Sequence, residues 1–265
     1  MKLAIIGAGN MGGAIGMGLI KSGAVDKKDL YVSDFSEKSL EKFKQAGANV
    51  FCSNTEAVKE ARAVVLAVKP NVYPAVLSEL AKLSGIEKKL IITIAPGFEI
   101  KKTKSFFKGD ICVIRAMPNT PALVGEAMSV VCYEDPVGED EIEISKTVFE
   151  SIGKMCVLDE KLLNGVVALN GSSPAYVFMF IEAMADAAVR DGIPRNLAYE
   201  IAAQSVLGSA KMMLETKKHP GELKDMVCSP AGTTIDAVAT LEEYGLRNAV
   251  LKAMQACTKK ANQIS

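Results

Sequence analysis

Gly7, Gly9 and Gly12 stand at the spacing G-x-G-x-x-G within Gly7-Ala8-Gly9-Asn10-Met11-Gly12, behind the apolar run 3–6 and ahead of a helical pattern. Glycines at this spacing do chemistry through the backbone. The first permits a tight turn, the second lets main chain approach a pyrophosphate, and the third lets helix and strand pack closely. The free N–H groups of the next helix, which begins near Asn10 and Met11, and its dipole favour an anion. Gly13, Gly16 and Gly18 extend the close-packing surface. A glycine-rich packing turn shares the spacing, but the strand–turn–helix context points to NAD or NADP.

Asp34 follows Gly12 by 22 residues, where a carboxylate accepts hydrogen bonds from a ribose diol and repels a 2′-phosphate. That favours NAD. Ser33, Ser36 and Lys38 beside it suit a 2′-phosphate, although Ser36 also reads as a cap of the next helix, so acceptance of both cofactors is expected. Ala67-Val68-Lys69-Pro70 leaves a strand at the carboxyl edge of the sheet, where ligands of open α/β folds sit. Arg115-Ala116-Met117-Pro118-Asn119-Thr120-Pro121 leaves another, with Asn119 and Thr120 suited to a carboxamide. Either loop also reads as a plain turn.

Ser229-Pro230-Ala231-Gly232-Thr233-Thr234-Ile235-Asp236 leads into a helix that runs on through Leu241. Its small residues and backbone N–H groups form a neutral cradle for a carboxylate, and the threonine hydroxyls both donate and accept. A simple N-cap would look similar. The one histidine, His219, precedes Pro220 in a turn, and no Ser-His-Asp set, H-E-x-x-H or Cys/His cluster exists, so no metal is expected. Without an obvious base, the fitting chemistry is hydride transfer to an already activated group such as a protonated imine.

The elements that must position these residues fall into two blocks. Up to about Leu158, β-branched runs at 3–6, 30–33, 64–68, 90–94, 112–115, 129–133 and 155–158 alternate mostly with helical patterns at 37–45, 55–61, 72–83 and 139–152. Continuous rather than alternating apolar strands are buried on both faces, which predicts a doubly wound parallel sheet of the α/β class. Beyond it the chain is helical at 176–190, 197–216 and 246–263, so domains 1–159 and 160–265 are expected. The pattern after Pro174 has almost no polar face, and a soluble helix of that kind must be surrounded by protein, either its own core or a second subunit.

Hydrophobic residues at 49% and charged residues at 23% exclude disordered and fibrous classes. The balance of Lys+Arg 31 against Asp+Glu 31 disfavours duplex nucleic acid. No secretory signal and no span of about 20 apolar residues is read, since Glu182 and Asp186 interrupt the longest candidate. The six cysteines lack C-x-x-C spacing and read as reduced core thiols of a cytoplasmic protein.

Together, the glycine turn, Ala67-Val68-Lys69-Pro70, Met117-Pro118-Asn119-Thr120-Pro121, Gly171-Ser172-Ser173-Pro174-Ala175-Tyr176 and Ser229-Pro230-Ala231-Gly232-Thr233-Thr234-Ile235 resemble the pyrroline-5-carboxylate reductase family over nearly the whole chain. The resemblance implies reduction of 1-pyrroline-5-carboxylate to L-proline by NADPH or NADH, the last step of proline biosynthesis. It implies that Thr234 hydrogen-bonds the ring nitrogen, that Ser229, Ala231, Gly232 and Thr233 hold the carboxylate, and that Asn54, Ala67 and Lys69 lie along the cofactor. It further implies a helical dimerisation domain and dimers that assemble in fives. Asn170, Ser173 and Ala231 depart from the family's common serine, glycine and glycine, and Asp34 departs from the Ser or basic residue of NADPH-selective members. Two alternatives remain. A related imine or β-hydroxy-acid dehydrogenase would want a lysine base, yet 170–189 holds none. A non-catalytic dinucleotide sensor would leave the Ser229–Thr234 loop without a task.

Overall fold

The computed structural model describes residues 1–264. Strands β1 (Leu3–Ile6), β2 (Leu30–Ser33), β3 (Asn49–Phe51), β4 (Ala63–Leu66), β5 (Leu90–Thr93), β6 (Cys112–Met117), β7 (Ala127–Tyr133) and β8 (Gly153–Val157) form one sheet, ordered β3-β2-β1-β4-β5-β6-β7-β8. Its helices are α1 (Asn10–Ser22), α2 (Glu37–Ala46), α3 (Asn54–Lys59), α4 (Tyr73–Leu80), α5 (Ile100–Lys104), α6 (Glu139–Glu150) and α7 (Leu163–Val166). In β1, Leu3 and Ile5 enter one core with Ile15 of α1, Phe43 of α2 and Phe149 of α6. Ala4 and Ile6 enter the other with Val58 of α3, Leu77 of α4 and Leu163 of α7. Helical crossovers cover both faces, which is why these strands carry no polar alternation.

Two features depart from the sequence reading. β6 and β7 pair antiparallel, Ala116 opposite Val131, because the short 3-10 turn Thr120–Val124 between them cannot make a parallel crossover. The edge strand β3, paired Val32 to Val50, is too short to show a periodicity.

The chain divides into two compact units, Met1–Ser172 with the chain from Cys257 on, and Ser173–Ala256. The first therefore runs past Glu160, since Leu163 and Val166 are buried in the second core. Ser172 Oγ and Cys257 Sγ, 3.2 Å apart, belong to the same unit. The second unit contains α8 (Ser173–Arg190), α9 (Arg195–Thr216), α10 (Pro220–Val227), α11 (Thr233–Glu243) and the start of α12 (Leu246–Ile264). Far from being enclosed in this single chain, α8 exposes Phe178 and Met179 at 64% and 69%, and α9 exposes Ile201 and Leu214. The helical run Glu160–Arg190 is long and apolar enough, by length and composition, to cross a membrane. This is longer than the apolar stretch expected from the sequence, because Leu162, Leu163, Val166 and Val167 precede the pattern that follows Pro174.

All six cysteines are free, but only Cys132 is fully buried and Cys52 is exposed, so the expectation of six core thiols holds only in part. Burial pushes the Cys132 thiol up to about 11, which keeps it protonated and unreactive.

One buried ion pair ties the sheet to its flank. Arg115, 2% exposed on β6, donates from a terminal nitrogen to Glu160 Oε1 at 2.9 Å, and that oxygen also accepts the N–H of Ile100 at the start of α5, at 2.8 Å. Removing one member of such a pair strands the other charge. Glu160→Ala is expected to lower the unfolding free energy by about 3–5 kcal/mol in urea titrations at fixed chain concentration. A loss below about 1 kcal/mol would show that the Arg115 charge reaches water without its partner.

Candidate active site

The β1–α1 turn is set by contacts too close for side chains. Gly7 has φ +97°, a conformation open to glycine, and its N–H donates to Ser33 O at 2.8 Å. A Cβ on Gly12 would lie 1.9 Å from Gly7 O and 2.9 Å from the Ala67 Cβ. Gly9, by contrast, has no atom within 4 Å of its Cβ position, so backbone faces open space there. Helix α1 begins with no side-chain cap and no acidic residue in its first turn, which leaves its N–H groups and dipole to an anion. Gly16 and Gly18 serve packing as expected, with Phe43 and Ile152 occupying the space of their missing Cβ atoms.

A cleft of about 230 Å³ opens beside the turn. Gly7, Gly9, Ser33 and Asp34 form one part of its lining, and Asn54, Ala67, Val68 and Lys69 another. The other expected cofactor residues lie outside this lining. Asn10 faces a separate groove of about 540 Å³, because it shares a helix face with Gly13, Ala14 and Met17. Met11 and Gly12 form the first turn of α1, and Pro70 opens the 3-10 turn Pro70–Val72 that leads to α4. At the exits of β4 and β5, the buried Tyr73 hydroxyl donates to Leu66 O and accepts the N–H of Ile94 at 3.2 Å. Burial pushes this phenol up to about 12, so it remains a neutral strut.

Three side chains expected at the cofactor are held by the protein itself. Both oxygens of Asp34 accept backbone N–H groups, Oδ2 from Ala8 at 2.7 Å and Oδ1 from Ser36 at 2.8 Å. Its carboxylate thus ties the phosphate turn to the start of α2, and Ser36 occupies the N-cap position without a side-chain bond. Asn54, 4% exposed, accepts from Ser33 Oγ and donates to Glu79, each at 2.9 Å. Asn119 is not open to a carboxamide: it donates to Asn170 Oδ1 at 2.9 Å and accepts the N–H of Met128 at 3.1 Å. Asn170 in turn donates to the carbonyls of Met117 and Met128, both at 2.8 Å. These bonds clamp the antiparallel β6–β7 junction and give the departure from serine at 170 a structural task. Spacing could not show the bonds of Asn170, because its partners Met117, Asn119 and Met128 are distant in sequence. Phe35, Val72 and Val76 also line the cleft and were not singled out. The one available signal was that Phe35 directly follows Asp34.

In the second unit, Ser229, Ala231, Gly232, Thr233 and Thr234 share the loop that begins α11. Gly232 N donates to Ser229 O at 3.1 Å, Gly232 is an N-cap without a side chain, and Thr233 starts the helix. The first N–H groups of α11 therefore carry no side-chain cap. Ala231 sits at φ +54°, the left-handed region, at a cost of about 1–2 kcal/mol for a residue with a Cβ. His219 Nδ1 accepts the N–H of Gly221 at 3.1 Å and caps α10.

Residues 160–264 match the family model for pyrroline-5-carboxylate reductase dimerisation, and residues 2–97 match that for NADP oxidoreductase, coenzyme F420-dependent. The chain is 47% identical to a pyrroline-5-carboxylate reductase of Escherichia coli over 100% of its own length and 98% of the relative's. Among solved structures, a pyrroline-5-carboxylate reductase from Coxiella burnetii superposes with TM-score 0.92 at 32% identity, covering 100% of this chain and 98% of that one. A pyrroline carboxylate reductase from Plasmodium falciparum with NADP bound gives TM-score 0.89 at 30% identity, with coverage of 100% and 98%.

The bonds of Asp34 change what its replacement should do. Asp34→Ala releases two backbone N–H groups of the turn, so NADP⁺ and NAD⁺ should both bind about tenfold more weakly, as for loss of one charge-assisted anchor. Calorimetric titration with each cofactor checks this. A gain for NADP⁺ alone would show that repulsion of a 2′-phosphate is the main role of Asp34.

Proposed function

The chain belongs to the pyrroline-5-carboxylate reductase family, and from that premise we propose that it reduces the C=N bond of 1-pyrroline-5-carboxylate to give L-proline, the last step of proline biosynthesis. Residues 1–159 bind NADPH or NADH, and residues 160–265 bind the imino acid and dimerise. The observation that carries this reading is the uncapped start of α11 behind Ser229–Gly232, a neutral carboxylate cradle followed by a threonine hydroxyl.

The reduced dinucleotide, when bound, supplies the hydride that the imine carbon accepts. The first N–H groups of α11 hold the substrate carboxylate, and the turn Ser229, Ala231, Gly232 and Thr233 shapes that cradle. Thr234 Oγ1 accepts the N–H of the protonated ring nitrogen and keeps doing so as the amine forms. This step needs no base, since the proton is already on nitrogen, and positioning supplies most of the rate. In the first unit, the turn Gly7–Gly12 with Asn10 and Met11 takes the pyrophosphate. Ser33, Asp34 and Asn54 border the ribose, and Ala67, Val68, Lys69 and Pro70 form the flank. Met117 and Asn119 shape the sheet end from behind.

The apolar faces of α8 and α9 are covered by a second copy in a homodimer, with five dimers to the full assembly. Glu182 and Asp186, and the ion pair of Asp186 with Arg195 at 2.5 Å, suit a protein neighbour better than lipid. The protein acts in the cytoplasm, without nucleic acid or membrane.

Following NADPH and NADH absorbance with racemic 1-pyrroline-5-carboxylate tests the activity directly, and no oxidation of either would overturn it. Thr234→Ala is expected to lower kcat/KM by about one to three decades while cofactor affinity stays unchanged. His219→Ala should keep wild-type turnover, because its ring only caps α10. Wild-type turnover in Thr234→Ala would remove the assigned role.

For assembly, light scattering should show dimers or multiples of dimers, and Phe180→Glu should shift them toward monomer by placing a charge in the apolar face. An active wild-type monomer would overturn the proposed cover.

A further inference from the structure

Phe35 is 78% exposed, and it is the only aromatic side chain among those lining the cleft beside the phosphate turn. A single exposed Phe is ordinary on a protein surface. This one differs in how its backbone is held. On its N-terminal side, Asp34 is fixed by the N–H groups of Ala8 and Ser36, and on its C-terminal side Ser36 is the N-cap of α2. The backbone of Phe35 is therefore held between two fixed points, and its ring pairs with no other ring among the described residues. With Val68 and Val72 it supplies an apolar lining next to the polar group of Ser33, Asp34 and Asn54. In a fold of this kind the pyrophosphate sits at the start of α1 and the adjoining ribose at the end of β2, so the base lies just beyond Asp34.

We propose that Phe35 is a cofactor-positioning residue whose ring stacks on the adenine of the dinucleotide. The assignment rests on the dinucleotide reading of this cleft. Stacking on the base is blind to the ribose 2′ position, so Phe35 strengthens NADP and NAD binding alike, and preference between them arises elsewhere. The residues fit an adenosine: an aromatic face, aliphatic neighbours, and hydrogen-bonding groups at the ribose.

The test uses the intact oligomer and binding rather than turnover. Phe35→Ala should weaken NADP⁺, NAD⁺ and adenosine 2′,5′-bisphosphate by about tenfold in calorimetric titration, within the range for loss of one base–aromatic stack, and should leave nicotinamide mononucleotide unaffected. The chain contains no tryptophan, so Phe35→Trp introduces a sole indole reporter. It should restore affinity, and its fluorescence should be quenched by adenosine 2′,5′-bisphosphate but not by nicotinamide mononucleotide. Wild-type affinities in Phe35→Ala, or an indole unresponsive to the adenosine probe, would overturn the assignment alone. A wild-type protein that binds neither dinucleotide would overturn the functional reading with it.

Discussion

At the junction of β1 and α1, the backbone of Gly12 lies against the carbonyl of Gly7 and the methyl of Ala67 so closely that no added carbon fits. That steric constraint holds the rest of the cofactor site in place. It brings the start of α1 to the sheet edge, where its N–H groups carry no side-chain cap and its first turn no acidic residue. It also packs the phosphate turn against the exit of β4, so that Ala67, Val68 and Lys69 become one flank of the cleft. From the other side the Asp34 carboxylate takes the N–H of Ala8 and draws in the end of β2. Two strand exits and one helix start thus share a single rigid turn, and rigidity there is what positioning of a hydride donor requires.

The second unit solves a different problem by similar means. The start of α11 is likewise uncapped, and on the proposed function its N–H groups hold a carboxylate with fixed dipoles that need no reorganisation. Ala231 carries backbone strain in this loop that glycine would avoid. Strain of this kind persists where the surrounding structure over-determines it, commonly at functional loops. The apolar faces of α8 and α9 set a second requirement, since a single chain leaves Phe178, Met179 and Ile201 in water. Their burial on association is the main stabilisation available to a helical unit with so few fully buried side chains of its own.

Much of this was legible along the chain because it depends on local chemistry. The glycine spacing, the continuous apolar runs of β1, β2, β4 and β5, and the turn into α11 are patterns of neighbouring residues, and the structure bears them out. Asp34 and Asn119 were read as open to a ligand because their type and place in sequence suit one. Their partners, Ala8 for one and Met128 and Asn170 for the other, are brought together only by folding. The antiparallel turn between β6 and β7 was missed for a related reason, since strand direction is set by connection length and pairing, not by strand composition.

By itself, then, the amino-acid sequence determined the class of fold, the glycine turn into α1, the small-residue turn into α11 and the family resemblance, because each rests on residues adjacent in the chain. Tertiary structure decided which polar groups remain open to a ligand. Asn54 and Asn119 are taken up by side-chain and backbone partners and the Asp34 carboxylate anchors two backbone N–H groups at the cleft, while Phe35 stays exposed beside it. A buried hydrogen-bonding group must be satisfied by whatever the fold brings near it, and that neighbour is fixed by packing across the sheet rather than by sequence separation.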